Sequence, residues 1–367
     1  MAENRKKKNR KKLPWWITPV ILLAVLAIRL GGEALGRGFQ WLSDSQTSES
    51  AITAQKVPSD ETLTVRFLDV GQGDSILLAC GDETMLIDGG PVEEGQFLVS
   101  RLNRLDVTEL TYVVNTHPDE DHCGGLAAVL AKYPAEHVYS SVTEYTTKVF
   151  SNVVKYADEQ GHPIEVPQTG DSWTLGSASV QLIGPVQTYS DPNNGSLVLR
   201  VDYGGTSFLF TGDMEQKAEA DLMASGANVQ ADVLKVGHHG SPTSSSEAFL
   251  EAVAPSIAVI SVGEDNDYGH PSADVLARLE ALGAAIYRTD TQGEIIITSD
   301  GETLTVTTDP TSREPAAGKD APFIGNRNSM IVHSANCAKL PGEDNRVYFN
   351  TAEEAEEYGY QKHTCIK

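Results

Sequence analysis

The stretch Asn115-Thr116-His117-Pro118-Asp119-Glu120-Asp121-His122-Cys123-Gly124-Gly125 decides the fold of this chain. It follows the apolar run LTYVVNTH (110–117), a predicted strand, and precedes a predicted helix over 124–132. Its four donor side chains therefore lie on one strand-to-helix connection and can reach a common pocket: His117, Asp119, Asp121 and His122. Imidazole together with carboxylate suits Zn²⁺, Mn²⁺ or Fe²⁺. Residues 117 and 119 can face one ion and residues 121 and 122 a second. The alternative is a solvated loop in which Asp121 caps the helix.

On both sides of this stretch, short β-rich runs alternate with amphipathic helical ones. The predicted strands are 64–70, 74–80, 84–90, 110–117, 179–185, 196–203, 206–213, 231–239, 257–263 and 293–300. The predicted helices are 95–105, 124–132, 215–226, 245–254 and 272–283. This alternation predicts an α/β domain over 62–309, with central sheets and outer helices.

Composition narrows the function classes. The chain has 367 residues, 40% of them hydrophobic and 22% charged, which excludes bulk disorder and a polytopic membrane protein. Acidic residues outnumber basic ones by 51 to 28, for a net charge of −23. Residues 1–12 carry seven Lys/Arg and one Glu, so the remaining 355 residues carry a net −29. So acidic a body should not bind nucleic acid by general electrostatics; a local site or bound cations would be needed.

The amino terminus predicts a membrane anchor. Residues 13–30 are apolar apart from Thr18, two prolines and Arg29, and we place the anchor at 13–32. The basic segment 1–12 precedes it and should stay in the cytoplasm, which places the rest of the chain outside. A cleaved signal peptide has the same layout, and a buried soluble helix is a third reading. Residues 33–61 are polar and rich in Ser and Thr, as expected of an exposed linker.

Five motifs occur in this order along the chain: VRFLDVGQGDSILL, LIDGG, THPDEDHCGG, LFTGDM and LKVGHHGS. Together they resemble the metallo-β-lactamase superfamily, and within it the hydrolase-like domain of the ComEC-type DNA-uptake (competence) proteins. The resemblance covers roughly residues 62–308. It implies a four-layer αββα sandwich that holds one or two Zn²⁺ or Mn²⁺ ions along one edge.

The resemblance also assigns further site residues. Asp213 matches the carboxylate that bridges two metals. Of the pair His238 and His239, we expect His239 to be the ligand and His238 to contact substrate or phosphate, although the reverse remains open. His270 matches a late family histidine that would stabilise the transition state or protonate the leaving group; a structural role is the alternative.

This chain departs from the family pattern at two places. Asp119 stands where the superfamily commonly has a second histidine, which gives a harder ligand set and makes Mn²⁺ a competitor to Zn²⁺. Where many members have another histidine, this chain has Asn193-Asn194-Gly195-Ser196, so Asn194 or Ser196 takes that place and one metal site is expected to be weak. Asp88 is either a carboxylate that orients a ligand histidine or a turn residue.

The implied chemistry is metal-assisted hydrolysis, with Asp121, His238 and His270 as the candidate catalytic residues. We expect a membrane-anchored phosphodiesterase or nuclease acting on DNA or another phosphodiester. A hydrolase of a small phosphoester such as phosphocholine, or of a lactone, is the first alternative. A catalytically weak binding or adaptor protein is the second. The sequence has one apolar span of adequate length, so transport of DNA by this chain alone is not expected.

A small unit is predicted at 323–367, after a Pro/Ala/Gly-rich linker at 310–322. It contains His333-x3-Cys337 and His363-x-Cys365, which are consistent with a tetrahedral structural Zn²⁺ site. The string FIGNRNSMIVHSANC and its continuation resemble the zinc-binding module of the Ada DNA-repair protein. That relative usually ends in Cys-x2-Cys, which puts His363 and Cys365 in doubt. A Cys337–Cys365 disulfide is the competing prediction.

Overall fold

The computed structural model describes residues 61–313 and 321–366. The predicted basic tail (1–12), the predicted anchor (13–32) and all of the predicted linker 33–61 except its last residue lie outside the described residues. Within the described ranges, no helix combines the length and the hydropathy needed to cross a bilayer.

The first sheet has seven strands. They are β1 (Leu63–Phe67), β2 (Ile76–Cys80), β3 (Glu83–Ile87), β4 (Leu110–Asn115), β5 (Ala135–Ser140), β13 (Glu294–Ser299) and β14 (Leu304–Asp309). Their order across the sheet is β14-β13-β1-β2-β3-β4-β5. The strands β3, β4 and β5 are parallel, whereas the other neighbours are antiparallel.

The second sheet also has seven strands. They are β6 (Ser172–Leu175), β7 (Ala178–Gly184), β8 (Val198–Tyr203), β9 (Thr206–Phe210), β10 (Val233–Lys235), β11 (Ile257–Ile260) and β12 (Ala285–Arg288). Their order is β12-β11-β10-β9-β8-β7-β6, and β9 to β12 are parallel. Each sheet therefore has a parallel half whose carboxyl ends carry loops toward one edge.

Alternation along the strands builds the layers. In β9, Phe208 and Phe210 enter the core between the two sheets, whereas Leu209 enters the core on the outer face of the second sheet. Because side chains alternate between the faces of a strand, one apolar run supplies two cores. Each fully buried Phe side chain contributes roughly 1.5–3 kcal/mol of burial free energy.

Helices cover both outer faces. On the first sheet these are α1 (Gly95–Arg104), α3 (Leu126–Lys132) and α4 (Lys148–Gln160), and the one-turn α2 (Glu120–Cys123) lies just before α3. On the second sheet they are α5 (Gln216–Ala224), α6 (Glu247–Val253) and α7 (Ala273–Ala281). A one-turn helix, α8 (Thr289–Gln292), lies between β12 and β13. The layers run helices, sheet, sheet, helices, as the predicted αββα sandwich requires.

A third, four-stranded sheet forms the carboxyl-terminal module. Its strands are β15 (Phe323–Asn326), β16 (Ile331–Ser334), β17 (Arg346–Phe349) and β18 (Gln361–Lys362), in the order β17-β15-β16-β18. The helix α9 (Ala352–Glu357) begins at a capping box formed by Thr351 and Glu354. The buried core of this module is small: Val332, Val347, Phe349, Ala355 and Tyr360.

Three predicted ranges were wrong in detail. The helix predicted at 124–132 begins at Leu126 as α3, and a separate one-turn helix, α2 (Glu120–Cys123), precedes it. The strand predicted at 231–239 ends at Lys235, because the chain turns at 237–240 with His238 and His239 at positive φ. The linker predicted at 310–322 begins later: Ser312 is 2% exposed, and the Arg313 guanidinium donates 2.6 Å to Glu94 Oε1. Residues 314–320 lie outside the described residues.

Candidate metal centre and active site

The candidate site lies where the parallel halves of the two sheets end. Asp88 follows β3, His117 follows β4, Asp213 follows β9 and His239 follows β10. Because carboxyl ends of parallel strands share an edge, donors distant in sequence come together there.

The metal loop between β4 and α3 is held by close backbone contacts. A side chain at Gly125 would overlap the carbonyl oxygen of Gly89, and one at Gly73 would overlap the carbonyl oxygen of Asp121. The Asp74 N–H donates 3.2 Å to that same Asp121 carbonyl. Glycine is required where backbones approach this closely, so the glycines of the motifs fix the loop against its neighbours.

Four donors converge at the centre of the site: Asp121, His122, Asp213 and His239. One ligand atom of each lies within 4.8 Å of the others. His122 Nε2 lies 3.2 Å from Asp213 Oδ1, and His239 Nε2 lies 3.4 Å from Asp121 Oδ2. Within the part of the chain that the structure describes, His122 Nε2, His239 Nε2 and Asp213 Oδ1 are buried and have no hydrogen-bond partner. Buried polar atoms without partners are costly, so their convergence fits a divalent cation.

A second group of donors lies beside this cluster. His117 Nε2 is also buried without a partner and lies 3.8 Å from Asp119 Oδ2. The His117 ring centroid is 4.1 Å from that of His122. The structure thus brings His117 and Asp119 next to the four-donor cluster but not into it.

The structure distinguishes Asn194 from Ser196, the two candidates for the place where many family members have a histidine. Ser196 Oγ lies 3.4 Å from His117 Nδ1 and accepts a hydrogen bond of 3.1 Å from the Asp213 N–H. The Asn194 amide instead donates 2.9 Å to Glu215 and accepts from the Ala218 N–H. Ser196 therefore contacts the site, whereas the Asn194 side chain is bound to the start of α5.

Asp88 orients His122. Its carboxylate accepts hydrogen bonds of 2.7 Å from the Thr116 N–H and hydroxyl, and Oδ2 lies 2.8 Å from His122 Nδ1. A carboxylate bound to one ring nitrogen directs the other nitrogen toward the cluster. Asp88 thus has the orienting contact that the sequence left as one of two alternatives.

His239 is held by contacts with buried neighbours, one of which is paired with Lys235, a residue that the sequence analysis missed. Its Nδ1 lies 2.9 Å from the Ser261 carbonyl oxygen and 3.4 Å from Asp74 Oδ1. Asp74 Oδ2 lies 2.7 Å from Lys235 Nζ, and Lys235 is 0% exposed. The signal available in the sequence was a lysine inside the apolar strand that leads into the two histidines.

Carboxylates dominate the electrostatics. The site holds one buried ammonium, that of Lys235, which pairs with Asp74, and five carboxylates: Asp74, Asp88, Asp119, Asp121 and Asp213. With the imidazoles neutral, as metal ligands are, these groups carry a net charge of −4. Burial opposes the charged form of His239, but Asp213, Asp121 and Asp74 outweigh it and raise the pKa of His239 to about 10. Burial and the neighbouring His122 lower the pKa of His117 to about 3. Two divalent cations would balance the excess negative charge.

His238 and His270 line the rim of the site. His238 Nε2 lies 3.6 Å from Asp213 Oδ2, its side chain is 22% exposed, and its ring lies 5.6 Å from that of His270. His270 Nδ1 has no partner, and Asn266 holds the His270 backbone through both its N–H and its carbonyl oxygen. Both histidines thus border the cluster without belonging to it. Non-glycine residues at positive φ, as at His238 and His239, cost energy and recur at functional sites.

The carboxyl-terminal module holds a separate group of donors: His333, Cys337, His363 and Cys365. Cys337 Sγ lies 3.4 Å from His333 Nδ1 and 3.7 Å from His363 Nδ1. Both cysteines are free, so the alternative Cys337–Cys365 disulfide is not formed. Two thiols and two imidazoles within 4.8 Å are the donor set of a tetrahedral zinc site.

Comparison with known proteins gives a consistent result. The family model of the metallo-beta-lactamase superfamily matches residues 68–264. The chain is 34% identical over 281 residues to competence protein ComA of Neisseria gonorrhoeae, covering 76% of this chain and 38% of that protein. It is 32% identical over 250 residues to ComE operon protein 3 of Bacillus subtilis, covering 63% of this chain and 32% of that protein.

The chain thus spans about a third of the length of these relatives. Among solved structures, the metallo-beta-lactamase fold protein YhfI from Bacillus subtilis aligns over 65% of this chain and 100% of its own, with 11% identity and a TM-score of 0.45. The family match and the homology to competence proteins confirm the resemblance carried by the five motifs. The chain therefore belongs to the metallo-beta-lactamase superfamily, in its ComEC-type competence branch.

Proposed function

We propose that this chain is a membrane-anchored, extracytoplasmic, metal-dependent phosphodiesterase that cleaves nucleic acid. The observation that carries the proposal is the convergence of Asp121, His122, Asp213 and His239, with three buried ligand atoms that lack partners. The names of the relatives, competence proteins, favour DNA as the polymer. The anchor at 13–32 rests on the sequence alone.

The donor sets indicate where cations bind. Asp121, His122, Asp213 and His239 would hold one ion, and His117 and Asp119 would contribute to a second. The oxygen-rich set suits Mn²⁺ as well as Zn²⁺. When bound, such a cation acidifies water and polarises a phosphoryl oxygen. Because the body of the chain is acidic, these ions are also what would attract a phosphodiester.

The rim histidines would act on the substrate directly. His238 and His270 lie at the rim of the site, with their ring centroids 5.6 Å apart and the His238 side chain 22% exposed. A ring N–H on either can donate to a phosphoryl oxygen or to the departing oxygen. Asn266 fixes the backbone of His270, and Glu215 Oε1 lies 3.6 Å from His238 Nδ1, so the His238 ring has a carboxylate beside it before substrate binds.

The carboxyl-terminal module would hold a structural Zn²⁺ through His333, Cys337, His363 and Cys365. A core of five buried residues is small for a unit of this size, so a metal would supply folding energy. The module contacts α1, where the Arg104 guanidinium lies 3.8 Å from the centroid of the Tyr358 ring.

The proposal is tested with the full chain, purified in detergent without chelator. We expect elemental analysis to find Zn or Mn, and single-stranded DNA and methyl p-nitrophenyl phosphate to be hydrolysed in Mn²⁺ or Zn²⁺. Asp213→Ala and His117→Ala should each lower kcat/KM by about three orders of magnitude, roughly 4 kcal/mol, because they remove metal donors.

The matched controls are Asp158→Ala and His162→Ala, both at exposed positions on or beside α4. They should leave kcat/KM and the melting temperature unchanged. Retained hydrolysis in both site variants, with retained folding, would refute the assigned site.

A further inference from the structure

A cleft of about 480 Å³ opens beside the candidate metal centre. Pro118 of the metal loop forms part of its wall. Asp191 and Gly195, from the loop that leads to Ser196, form another part. The cleft and the metal centre therefore share two loops, and the cleft has the size of a small-molecule site.

The wall of the cleft is almost without charge. Among the described residues that line it, Asp191 is the one charged residue, and there is no lysine or arginine. The remaining surface is made of prolines, tyrosines, small aliphatic side chains and neutral amides and hydroxyls. A phosphate would meet a carboxylate and no cation there, so the cleft suits an uncharged group with an apolar face.

The aromatic walls are held in place. The Tyr189 hydroxyl donates 3.0 Å to Asp221 Oδ2, and Lys217 Nζ lies 4.5 Å from the centroid of the Tyr189 ring. The Tyr145 ring packs edge-on against Phe150, with centroids 6.4 Å apart. Walls that are fixed before binding lower the ordering cost of a ligand.

Tyr145 also links the cleft to the metal loop. Burial raises the pKa of its hydroxyl, and the carboxylates of Asp119 and Asp191 raise that pKa further. The ring therefore lies within electrostatic range of one metal-loop carboxylate and of the carboxylate of the cleft.

We propose that this cleft binds the base of the nucleotide next to the scissile phosphate, with Tyr145 and Tyr189 as its aromatic contacts. The inference rests on the proposed function. In a nucleic acid the phosphates are charged, whereas every base offers a neutral, flat face that stacks on aromatic side chains. A base seated here would place its own phosphate near the two loops that the cleft shares with the metal centre, those that carry His117 and Ser196.

The test compares two substrates with the same leaving group, thymidine 5′-(p-nitrophenyl phosphate) and methyl p-nitrophenyl phosphate, with the full chain in Mn²⁺. We expect kcat/KM to be about ten-fold higher for the thymidine ester, the effect of one stacked base. Tyr145→Ala should bring the ratio of the two values close to one, mainly through KM, and Tyr145→Phe should keep it. Tyr156→Ala, a tyrosine on α4 that does not line this cleft, is the matched control and should keep the ratio as well.

A second measurement needs no variant. In a single-stranded oligonucleotide with one abasic position, we expect cleavage at the adjoining phosphate to fall about ten-fold relative to the intact strand. Equal kcat/KM for the two esters, with no abasic effect, would overturn the base site and leave the phosphodiesterase intact. Absence of hydrolysis of every phosphodiester would overturn the proposed function itself. A Tyr145-dependent preference for p-nitrophenyl phosphorylcholine would overturn the base site in favour of a quaternary ammonium.

Discussion

The two donor clusters of this chain are set in opposite surroundings. Asp121, His122, Asp213 and His239 lie at the edge of two seven-stranded sheets that enclose three apolar cores. The cysteine and histidine cluster lies in a module whose core has five buried residues. On the proposed function, the first scaffold would place its donors for chemistry, whereas in the second the donors and their zinc would be part of what holds the scaffold together.

The clusters also differ in what orients their donors. Buried charged side chains take part in the support of the first: Asp88 contacts His122, and the Asp74–Lys235 pair contacts His239 beside the Ser261 carbonyl oxygen. Backbone groups support the second, since the Ser334 N–H donates 3.4 Å to Cys365 Sγ and the Cys365 N–H donates 3.2 Å to His363 Nδ1. Substitutions of supporting side chains should therefore affect the first cluster and spare the second.

The largest expected effect is that of metal removal on the module. Structural zinc supplies about 10–16 kcal/mol in small zinc modules, so EDTA with 1,10-phenanthroline should unfold residues 321–366. Hydrogen exchange should then accelerate by at least about 100-fold in β16, while β1 and β4 stay protected because apolar cores hold them.

The same experiment can contradict the proposed difference between the two clusters. Unchanged exchange in β16 after chelation would show that the module folds without metal. Loss of protection in β4 would show that the hydrolase domain, too, depends on its ions for folding.

The sequence predicted the inner part of the fold better than its rim. Within the two large sheets, the four strands that it missed are the edge strands: β5, β6, β12 and β14. An edge strand buries less surface, and β12 and β14 contain no buried residue. The hydrophobic alternation on which strand prediction depends is therefore weakest where pairing is one-sided.

The missed helix α4 has a different reason. Thr147 caps it and Gly161 ends it in the left-handed conformation, which are readable signals. Its sequence KVFSNVVKYADEQ is rich in β-branched and aromatic residues, which weakened the helical pattern. Packing of Phe150 and Val153 against the first sheet outweighs that preference.

The metal loop was predictable because its donors are adjacent in sequence. His117 to His122 needed no tertiary information, whereas the function of Lys235 exists only through its contact with Asp74 across the two sheets. Likewise the choice between Asn194 and Ser196 depended on where α5 begins, since its first turn binds Asn194. The side chains that orient the donors act through contacts between residues far apart in the chain. A single sequence does not show which residues make such contacts.

The next prediction concerns the buried ion pair below His239. Lys235→Met leaves the carboxylate of Asp74 buried without its ammonium, so the free energy of unfolding should fall by about 3–5 kcal/mol. Equilibrium denaturation of the metal-free protein measures this change.

The exposed pair Lys217–Asp221, at 3.2 Å on α5, is the matched control, and Lys217→Met should cost less than about 1 kcal/mol. Adding Asp74→Asn to Lys235→Met should restore part of the loss, because the uncompensated charge is then removed. Equal effects of the buried and exposed substitutions would contradict a preformed support.

The smallest expected effect is that of Asp88→Asn, and it distinguishes donors oriented by side chains from donors oriented by the backbone. Asp88 has φ of 58°, a left-handed conformation that asparagine tolerates, so Asp88→Asn keeps the backbone and removes only the charge that orients His122. Loss of such a carboxylate typically weakens metal affinity about 10–100-fold. Hydrolysis should therefore fall at limiting Mn²⁺ and recover at high Mn²⁺, with little change in the melting temperature.

The matched control in the carboxyl-terminal module is Ser334→Ala. The backbone N–H of Ser334, not its side chain, contacts Cys365, so the zinc content of the module should not change. A loss of zinc in Ser334→Ala, or failure of excess Mn²⁺ to rescue Asp88→Asn, would show that the clusters are not supported in these different ways.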